Sequence, residues 1–371
     1  MISQSPSAMT QTTAVDPVRA LTQRVGSRLL RTRLALLSTL FTVALPSQAW
    51  EPTAPVELVV PAGTGGGADQ MARFIQGLVS THKLMQQPMS VVNKAGNSGL
   101  DGLLDIKAGR GNPHKLVITL SNLFTAPLAT GTDFNWRDIT PVQMMALDQF
   151  VLWVPASSPY KSARELLAAL RAKPAGNLSL GGTGSKQEDQ IVSVLLETAV
   201  GTRISYRPLK GGGEVAKALA DREVDMSVNN PIEAEALWRA GSLLPLCVLD
   251  GKPLEYSAKV SGSLGWSDIP TCMSVGIPVQ YLMLRAIFTT PGATPEQVAF
   301  YNQLLDKVRA LPEWKAFMAQ GAFNQTAMSG LPFVAWLDKT DRFHQVLMRE
   351  SKLRTAPGGA SGAASSAAVK K

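Results

Sequence analysis

Residues 56–76, VELVVPAGTGGGADQMARFIQ, contain the stretch on which the fold of this chain depends. An apolar run ends at Pro61, a glycine-rich loop follows, and apolar residues recur at helical spacing from Ala68 onward. A helix start exposes unpaired N–H groups and the positive end of the helix dipole, so an anion is stabilised there. Glycine lets the backbone itself approach such a ligand. The pattern therefore predicts either an anion-binding loop or a tight strand–helix turn without a ligand.

Two further glycine loops precede predicted helices. One lies in NLSLGGTGSKQEDQ (177–190) and the other in YRPLKGGGEVAKAL (206–219). In the first of them, Ser185 is predicted either to cap a helix together with Glu188 or to contact a ligand. Because the loops that follow parallel strands meet at one edge of a sheet, we expect the backbone N–H groups of all three loops to surround one cleft.

The first loop also matches the dinucleotide-binding pattern G-x-G-x-x-A at Gly63, Gly65 and Ala68. Such a site needs an acidic residue at the end of the second strand, where this chain has Asn93 and Lys94. A P-loop is excluded because no Gly-Lys-Ser/Thr follows the glycines. The sequence therefore favours a small anion over a dinucleotide, and we expect no cofactor.

Short apolar runs alternate with helical segments between the two ends of the chain. Helix starts are indicated by Ser162 with Glu165, and by Thr294 followed by Pro295. This alternation predicts an α/β fold with mostly parallel sheets, in two lobes joined at Asp148–Ala156 and Val279–Pro291. The predicted strands are Glu57–Val60, Met89–Val92, Leu116–Leu120, Phe150–Val154, Leu178–Leu180, Val224–Val228, Leu244–Val248 and Leu284–Phe288.

The two ends of the chain differ in composition from the rest. Arginines precede the apolar run LALLSTLFTVAL (34–45) and then PSQA, which predicts a cleavable signal peptide over residues 1–49, starting at Met1 or Met9. Residues 353–371 are rich in Ala, Gly and Ser, which predicts a disordered tail. About half of the formal charge of +8 lies in residues 1–49, and no basic stripe carries aromatic residues. We therefore expect no nucleic-acid partner.

Cysteine and histidine are scarce. Cys247 and Cys272 are the two cysteines, and they either form a disulfide in an oxidising compartment or remain buried thiols. The three histidines are His82, His114 and His344, and no G-x-S-x-G motif is present. An exported hydrolase and a zinc site are therefore disfavoured, so we expect no catalytic and no metal-binding residues. His344, in an amphipathic segment, is expected at the surface or at an interface.

Several motifs in order carry a family resemblance: PAGTGGGADQMAR, VVNKAGNSG, GTGSKQEDQ, and PLKGGGEVAKAL followed by REVDMSVNN. They resemble the Bug-type extracytoplasmic solute receptors, the substrate-binding subunits of tripartite tricarboxylate transporters, over nearly all of residues 55–350. The resemblance implies a two-lobed periplasmic-binding-protein (Venus-flytrap) fold with two hinge crossings, near Met144–Asp148 and Val279–Leu284. The expected lobes are residues 50–147 plus 279–352, and residues 148–278.

The function implied by the resemblance is capture of a small carboxylate in the periplasm and its delivery to membrane permease subunits. We expect a monomer, and a signalling receptor for carboxylates remains the alternative. Asn229 stands where many relatives carry an aspartate, which favours a di- or tricarboxylate over an amino acid. Lys186, Arg207 and Lys210 either add positive potential for the ligand or are solvated surface charges.

The resemblance also implies the ligand-binding residues, among which Asp69 orders the first loop more than it touches the ligand. They are Gly63, Thr64, Gly65, Gly66, Asp69, Ser121, Asn122, Thr183, Gly184, Ser185, Lys210, Gly211, Asn229 and Asn230.

Overall fold

The computed structural model describes residues 50–354. The predicted signal peptide and, apart from Leu353 and Arg354, the predicted tail lie outside these residues. Two separate β-sheets with helices packed against them form two α/β lobes, which confirms the predicted fold class. The residue boundaries that we assigned to the lobes stay a prediction.

The first lobe is built on a six-stranded sheet. Its strands are β1 (Val56–Val60), β2 (Met89–Asn93), β3 (Lys115–Thr119), β4 (Thr140–Gln149), β12 (Leu282–Thr289) and β13 (Met328–Ser329). They lie in the order β13-β4-β12-β3-β1-β2. β1 lies inside the sheet, between β3 and β2, and its composition fits this position, because a strand covered on both faces is apolar along almost its whole length.

Six α-helices follow or flank this sheet within the described residues. They are α1 (Gly67–Thr81), α2 (Leu100–Ala108), α3 (Asn122–Thr130), α8 (Pro295–Ala310), α9 (Pro312–Gln320) and α10 (Gly330–Glu350). In α1 the buried residues Met71, Ile75 and Leu78 recur at helical spacing and face the core. The predicted cap of α8 is confirmed, because Thr294 Oγ1 accepts a hydrogen bond from the N–H of Gln297.

The second lobe is built on a five-stranded sheet. Its strands are β5 (Val151–Pro155), β6 (Ser179–Thr183), β7 (Ser205–Leu209), β8 (Met226–Ser227) and β9 (Leu243–Val248), in the order β7-β6-β8-β5-β9. Its helices are α4 (Ala163–Ala172), α5 (Glu188–Val200), α6 (Gly212–Ala220) and α7 (Pro231–Arg239). A short hairpin of β10 (Lys259–Ser261) and β11 (Leu264–Gly265) completes the strands, and 3₁₀ turns lie at Asn97–Gly99, Trp136–Asp138, Trp266–Asp268 and Met273–Val275.

Both sheets are mixed, so the prediction of mostly parallel sheets is wrong. β1 is parallel to β2 and β3, and β6 is parallel to β7 and β8. The other ladders of the two sheets are antiparallel, including β4 with β12 and β5 with β9. The antiparallel strands β4, β5, β9 and β12 lead the chain from one lobe into the other. Such strands do not return to their own sheet through a helical crossover, which is the connection that parallel pairs require.

The chain passes between the lobes twice along these strands. It leaves the first sheet at Gln149 and enters the second at Val151, with only Phe150 between them. It returns after Val248 and re-enters the first sheet at Leu282. The predicted hinge segment Met144–Asp148 lies inside β4, where it pairs with β12.

Helix α10 packs in two hydrophobic clusters. Phe333 and Leu337, near its start, lie in a cluster of the first lobe, whereas Leu347 and Met348 lie in a cluster that contains the core of the second lobe together with Ala129 and Met283 of the first. His344, between them, is buried, so its expected surface position is wrong. Its Nε2 lies 2.8 Å from the hydroxyl of Tyr281, and its Nδ1 lies 2.8 Å from the carbonyl oxygen of Thr340. Burial lowers the pKa of His344 to about 4, so the imidazole is neutral at physiological pH.

Cys247, in β9, forms a disulfide with Cys272. Both side chains are fully buried in the core of the second lobe. The bond ties the end of β9 to the segment through which the chain returns to the first lobe. The alternative of two buried thiols is therefore wrong.

We expect the double substitution Cys247→Ala with Cys272→Ala to lower the free energy of unfolding by about 3 kcal/mol, because the disulfide closes a loop across a sequence separation of 25 residues. Denaturant unfolding of the oxidised wild type and of the double variant measures this difference. Wild type under reducing conditions is the matched control and should unfold like the variant. Equal stability of the oxidised protein and the variant would contradict the prediction.

Candidate functional site

A cavity of about 590 Å³ lies between the two lobes. Three loops surround it: the loop between β1 and α1, the loop between β6 and α5, and the loop between β7 and α6. Each loop follows a parallel strand and precedes a helix, so the starts of three helices face one space. The glycine-rich stretches that suggested a common cleft are thus brought together.

Most of the predicted site residues line the cavity, namely Gly63, Thr64, Gly66, Asn122, Thr183, Gly184, Lys210, Gly211 and Asn230. The remaining predicted residues do not line it, namely Gly65, Asp69, Ser121, Ser185 and Asn229.

Asp69 fixes the conformation of the first loop and does not line the cavity. Its carboxylate accepts hydrogen bonds from the N–H of Gly65 at 2.9 Å and from the side chains of Arg73 and Asn93. Although burial works to raise it, these hydrogen bonds hold the pKa of Asp69 below its usual value. Asn93 also donates to the carbonyl of Ala62, so the end of β2 fixes both sides of the loop.

The loops of the second lobe are held in a similar way. The N–H of Thr183 donates to Asp189 at 2.7 Å, and the N–H of Lys210 donates to Glu214 at 3.2 Å. The N–H of Gly184 donates to the carbonyl of Leu209 at 2.7 Å. These N–H groups, like that of Gly65, were expected to point into the cleft for a ligand. The N–H groups of Gly65, Thr183 and Lys210 are instead bonded to carboxylates of the protein, because a helix start attracts these as well as the carboxylate of a ligand.

Ser185 does not cap α5. The helix begins at Glu188, and its N-cap residue Gln187 makes no side-chain cap hydrogen bond. The carbonyl of Ser185 instead accepts a hydrogen bond of 3.2 Å from Ser98 Oγ in the first lobe. This contact closes one edge of the cleft.

The backbones of the two lobes also touch beside the cavity. A side chain at position 63 would place its Cβ 2.8 Å from the carbonyl oxygen of Lys210, and one at position 213 would place it 3.2 Å from the carbonyl oxygen of Gly65. Only glycine permits these approaches without a shift of the opposite lobe. The arrangement is therefore the closed form of the cleft.

Glu233 is the main cavity residue that the sequence analysis missed. Its Oε1 accepts the N–H of Gly67, the first residue of α1, at 3.0 Å across the cleft. Its Oε2 accepts from the N–H of Asn230 and from the side chain of Asn229, both at 3.1 Å. A side chain on Gly212 would overlap this carboxylate. The signal that would have found it is the capping-box spacing of Asn230 and Glu233 at the start of α7.

Asn229 and Asn230 lie below the cavity, and Asn230 connects the two lobes. Asn229 donates to the carbonyl of Gly212 at 2.8 Å, and Asn230 donates to the carbonyl of Gln149 at 2.9 Å. The Oδ1 atom of Asn230 accepts from Arg285, whose guanidinium also pairs with Asp148 at 2.6 Å. Both members of this ion pair are fully buried. Asn229 and Asn230, which we expected to touch a ligand, thus also stabilise the structure beneath the cavity.

Ser121 and Asn122 lie at the start of α3. The hydroxyl of Ser121 is buried and accepts the N–H of Leu284 at 3.2 Å, so it joins α3 to β12. The side chain of Asn122 donates to the carbonyl of Pro61 at 3.0 Å and lines the cavity.

The lining of the cavity is acidic. Glu188, Asp189, Glu214 and Glu233 face it, and Lys210 is the one basic residue among the described residues that line it. Of the other basic residues that we considered, Arg207 pairs with Glu223 and does not line the cavity. Within this lining, Lys210 is therefore the one side chain that could supply positive potential for a multiply charged ligand.

Burial dominates the ionisation of Glu188 and Asp189. It raises the pKa of Glu188 to about 7, although the N–H groups of Glu188 and Asn122 favour the charged form. Burial and the neighbouring Glu233 raise the pKa of Asp189 well above its usual value, against the hydrogen bond from Thr183. No group of three or more His, Cys, Asp or Glu residues suited to hold a metal ion is found in residues 50–354.

Comparison with known sequences identifies the family. Residues 71–349 match the sequence pattern of the family described as "Tripartite tricarboxylate transporter family receptor". This chain belongs to that receptor family. The receptor is 24% identical to protein BugT of Bordetella pertussis (strain Tohama I) over 302 residues, which cover 79% of this chain and 85% of BugT. The resemblance to Bug-type receptors is thereby confirmed, as is the prediction that the chain is a receptor and not an enzyme.

Solved structures share the fold of the receptor. Rpa4515 of R. palustris, determined with adipate, has a TM-score of 0.74 and 22% identity and covers 81% of this chain and 98% of its own. MatC (Rpa3494) of Rhodopseudomonas palustris, determined with bound malate, has a TM-score of 0.66 and 19% identity over the same shares. These likenesses confirm the periplasmic-binding-protein fold.

The raised pKa of Glu188 gives a test of its burial. A carboxyl whose pKa is about 7 in the folded protein and about 4.5 when unfolded destabilises the fold as pH rises through that interval. We expect Glu188→Gln to exceed wild type in stability by up to about 3 kcal/mol at pH 8, with the gain lost near pH 4. Melting temperatures recorded from pH 4 to pH 8 measure it.

The matched control is Glu197→Gln, on the same helix but outside the cavity, where the carboxylate accepts from the N–H of Ile204. It should show no gain at pH 8. A gain from Glu188→Gln that does not change with pH would contradict the assignment.

Proposed function

We propose that this chain is a periplasmic solute-binding receptor that captures a small carboxylate between its lobes and delivers it to the permease of a tripartite tricarboxylate transporter. The observation that carries the proposal is the cavity of about 590 Å³ enclosed by three helix starts from both lobes. This volume lies within the range of small-molecule sites. The lining, with glycine backbone on both sides, allows a short acid to contact the main chain directly.

The structural neighbours support a carboxylate as the ligand, since Rpa4515 was determined with adipate and MatC with malate. The sequence favours a di- or tricarboxylate. Of these the lining favours the lower charge, because Lys210 is the one basic residue among the described lining residues that could balance a third carboxylate. We therefore favour a dicarboxylate.

The ligand carboxylate is expected beside the position that Glu233 occupies in the closed form. Gly67 N–H, at the positive end of α1, is bonded to Glu233 in the closed form. The N–H groups of Gly63 and Thr64 make no hydrogen bond within residues 50–354 and belong to the same loop. A ligand that binds these N–H groups and also contacts the second lobe adds to the bond from Glu233 and favours closure, because only a ligand with higher affinity for the closed state shifts the equilibrium.

Receptors of this family are periplasmic. No helix in the described part of the chain is long and apolar enough to cross a membrane. We propose that a cleavable signal peptide at residues 1–49 exports the protein and that the mature receptor acts as a monomer. Closure would turn about the predicted segments Met144–Asp148 and Val279–Leu284.

The direct test is a thermal-shift and calorimetric screen of purified protein with succinate, glutarate and adipate, and with their 2-hydroxy and 2-amino derivatives. A ligand at 100 times its dissociation constant adds about 2.7 kcal/mol to stability, which raises the melting temperature by a few degrees. If none of these acids binds, the proposed ligand class is wrong.

Substitution at the contact of the two lobes tests the closure. Gly63→Val directs a side chain against the carbonyl of Lys210, so it should reduce affinity for the best acid at least about tenfold while the fold is retained. Gly77→Ala, in the helix α1 that follows this loop and with open space around the added Cβ, is the control and should bind normally. Unchanged binding by Gly63→Val would show that the closed contact is not part of the bound state.

A further inference from the structure

Two buried acceptor oxygens on opposite lobes have no hydrogen-bond partner among the described residues. They are Oδ1 of Asn122, in the first lobe, and Oε1 of Glu188, in the second lobe. Both side chains line the cavity, and the two residues are only 2% and 3% exposed. Buried acceptors in folded proteins nearly always have a donor, so the cavity is the place from which a donor can come.

The orientation of Asn122 is set by its other partners. Its Nδ2 donates to the carbonyl of Pro61 at 3.0 Å and lies 3.5 Å from the carbonyl of Ser98. Because both neighbours are acceptors, the amide nitrogen has to face them, and the oxygen is left as the unpaired atom.

The two acceptors line the same cavity from opposite lobes. Glu188 is the first residue of α5, and its carboxyl is near the backbone N–H of Asn122 as well as its own. Asn122 is the first residue of α3 in the other lobe. Closure of the cleft therefore brings an amide oxygen and a carboxylate oxygen to one part of the cavity.

The charges around this part of the cavity favour a donor over a second anion. Asp189 and Glu233 are close enough to interact electrostatically with each other, and Glu188 is close enough to interact with Asp189. Arg285 contributes positive potential at Glu188, but its guanidinium is paired with Asp148. A ligand carboxylate at this position would meet two unpaired acceptor oxygens, whereas a donor group would satisfy them.

We propose that Glu188 and Asn122 form an acceptor pair that selects carboxylates carrying a hydroxyl or ammonium group over the same carbon chain without one. This inference rests on the proposed function. The helix starts bind a carboxylate, and the donor group meets Oε1 of Glu188 and Oδ1 of Asn122. A ligand that lacks the donor leaves both acceptors unpaired in the closed cleft, and sites built for a donor reject such analogues strongly.

The experiment is titration calorimetry with matched series of four, five and six carbons: succinate, malate and aspartate; glutarate, 2-hydroxyglutarate and glutamate; adipate, 2-hydroxyadipate and 2-aminoadipate. In wild type, the best donor-bearing acid of a series should bind at least about tenfold more tightly than the parent acid. The hydroxy and amino members distinguish the two sources of the donor.

Glu188→Met removes the carboxylate at similar side-chain length. We expect it to reduce the donor preference to within about twofold, because the carboxylate oxygen that a parent acid would leave unpaired is no longer present. Glu197→Gln, on the same helix outside the cavity, should keep the wild-type preference. If Glu188→Met does not fold, Glu188→Gln replaces it, and the preference for the amino acid should then fall about tenfold because the charge is lost.

The outcomes separate this inference from the proposed function. If the parent acids bind wild type as tightly as their derivatives, or if the Glu188 variant keeps the preference, the acceptor pair is wrong and the proposed function stands. If none of the nine acids binds, the proposed function fails and the inference fails with it.

Discussion

The structure depends on the contact between the start of α1 and the second lobe. The N–H of Gly67 is bonded to Glu233, and the backbone of Gly63 lies against the carbonyl of Lys210. The positive end of a helix dipole is thereby joined to a carboxylate from the opposite lobe. Beneath this contact, the fully buried pair of Arg285 and Asp148 is connected to Asn230. The closed cleft is therefore built from polar groups that the protein satisfies largely by itself.

The local features of this arrangement were accessible from the sequence. The glycine loops, the caps of α4 and α8 and the central strands follow from residue spacing within a few positions, and the structure has them there. The convergence of the loops followed from a general property of α/β sheets, in which strand ends bind ligands. Such inferences hold because they depend on one segment at a time.

Apart from the cap predicted at Ser185, the main missed features are long-range. Glu233 reaches Gly67 from a distant part of the chain, and its capping spacing says nothing about a second helix. β4, between the predicted strands, and the antiparallel pairing of β4 with β12 depend on where the chain leaves each lobe. His344 has the polar character of a surface residue, but α10 packs on both lobes and buries it. Pairings of this kind require coordinates, because composition and periodicity describe only neighbours in sequence.

The packing of α10 has a consequence for how the lobes can move. Phe333 lies in a cluster of the first lobe, and Leu347 lies in the cluster that contains the core of the second lobe. Opening the cleft must either preserve both sets of contacts or break one of them. Exposing a buried side chain of this size costs about 1.5–3 kcal/mol. A rotation whose axis runs along the helix preserves both. The two lobes then rotate about the axis of α10, and the strand passage at Phe150 follows this rotation. Opening would be a twist of limited amplitude instead of a wide swing.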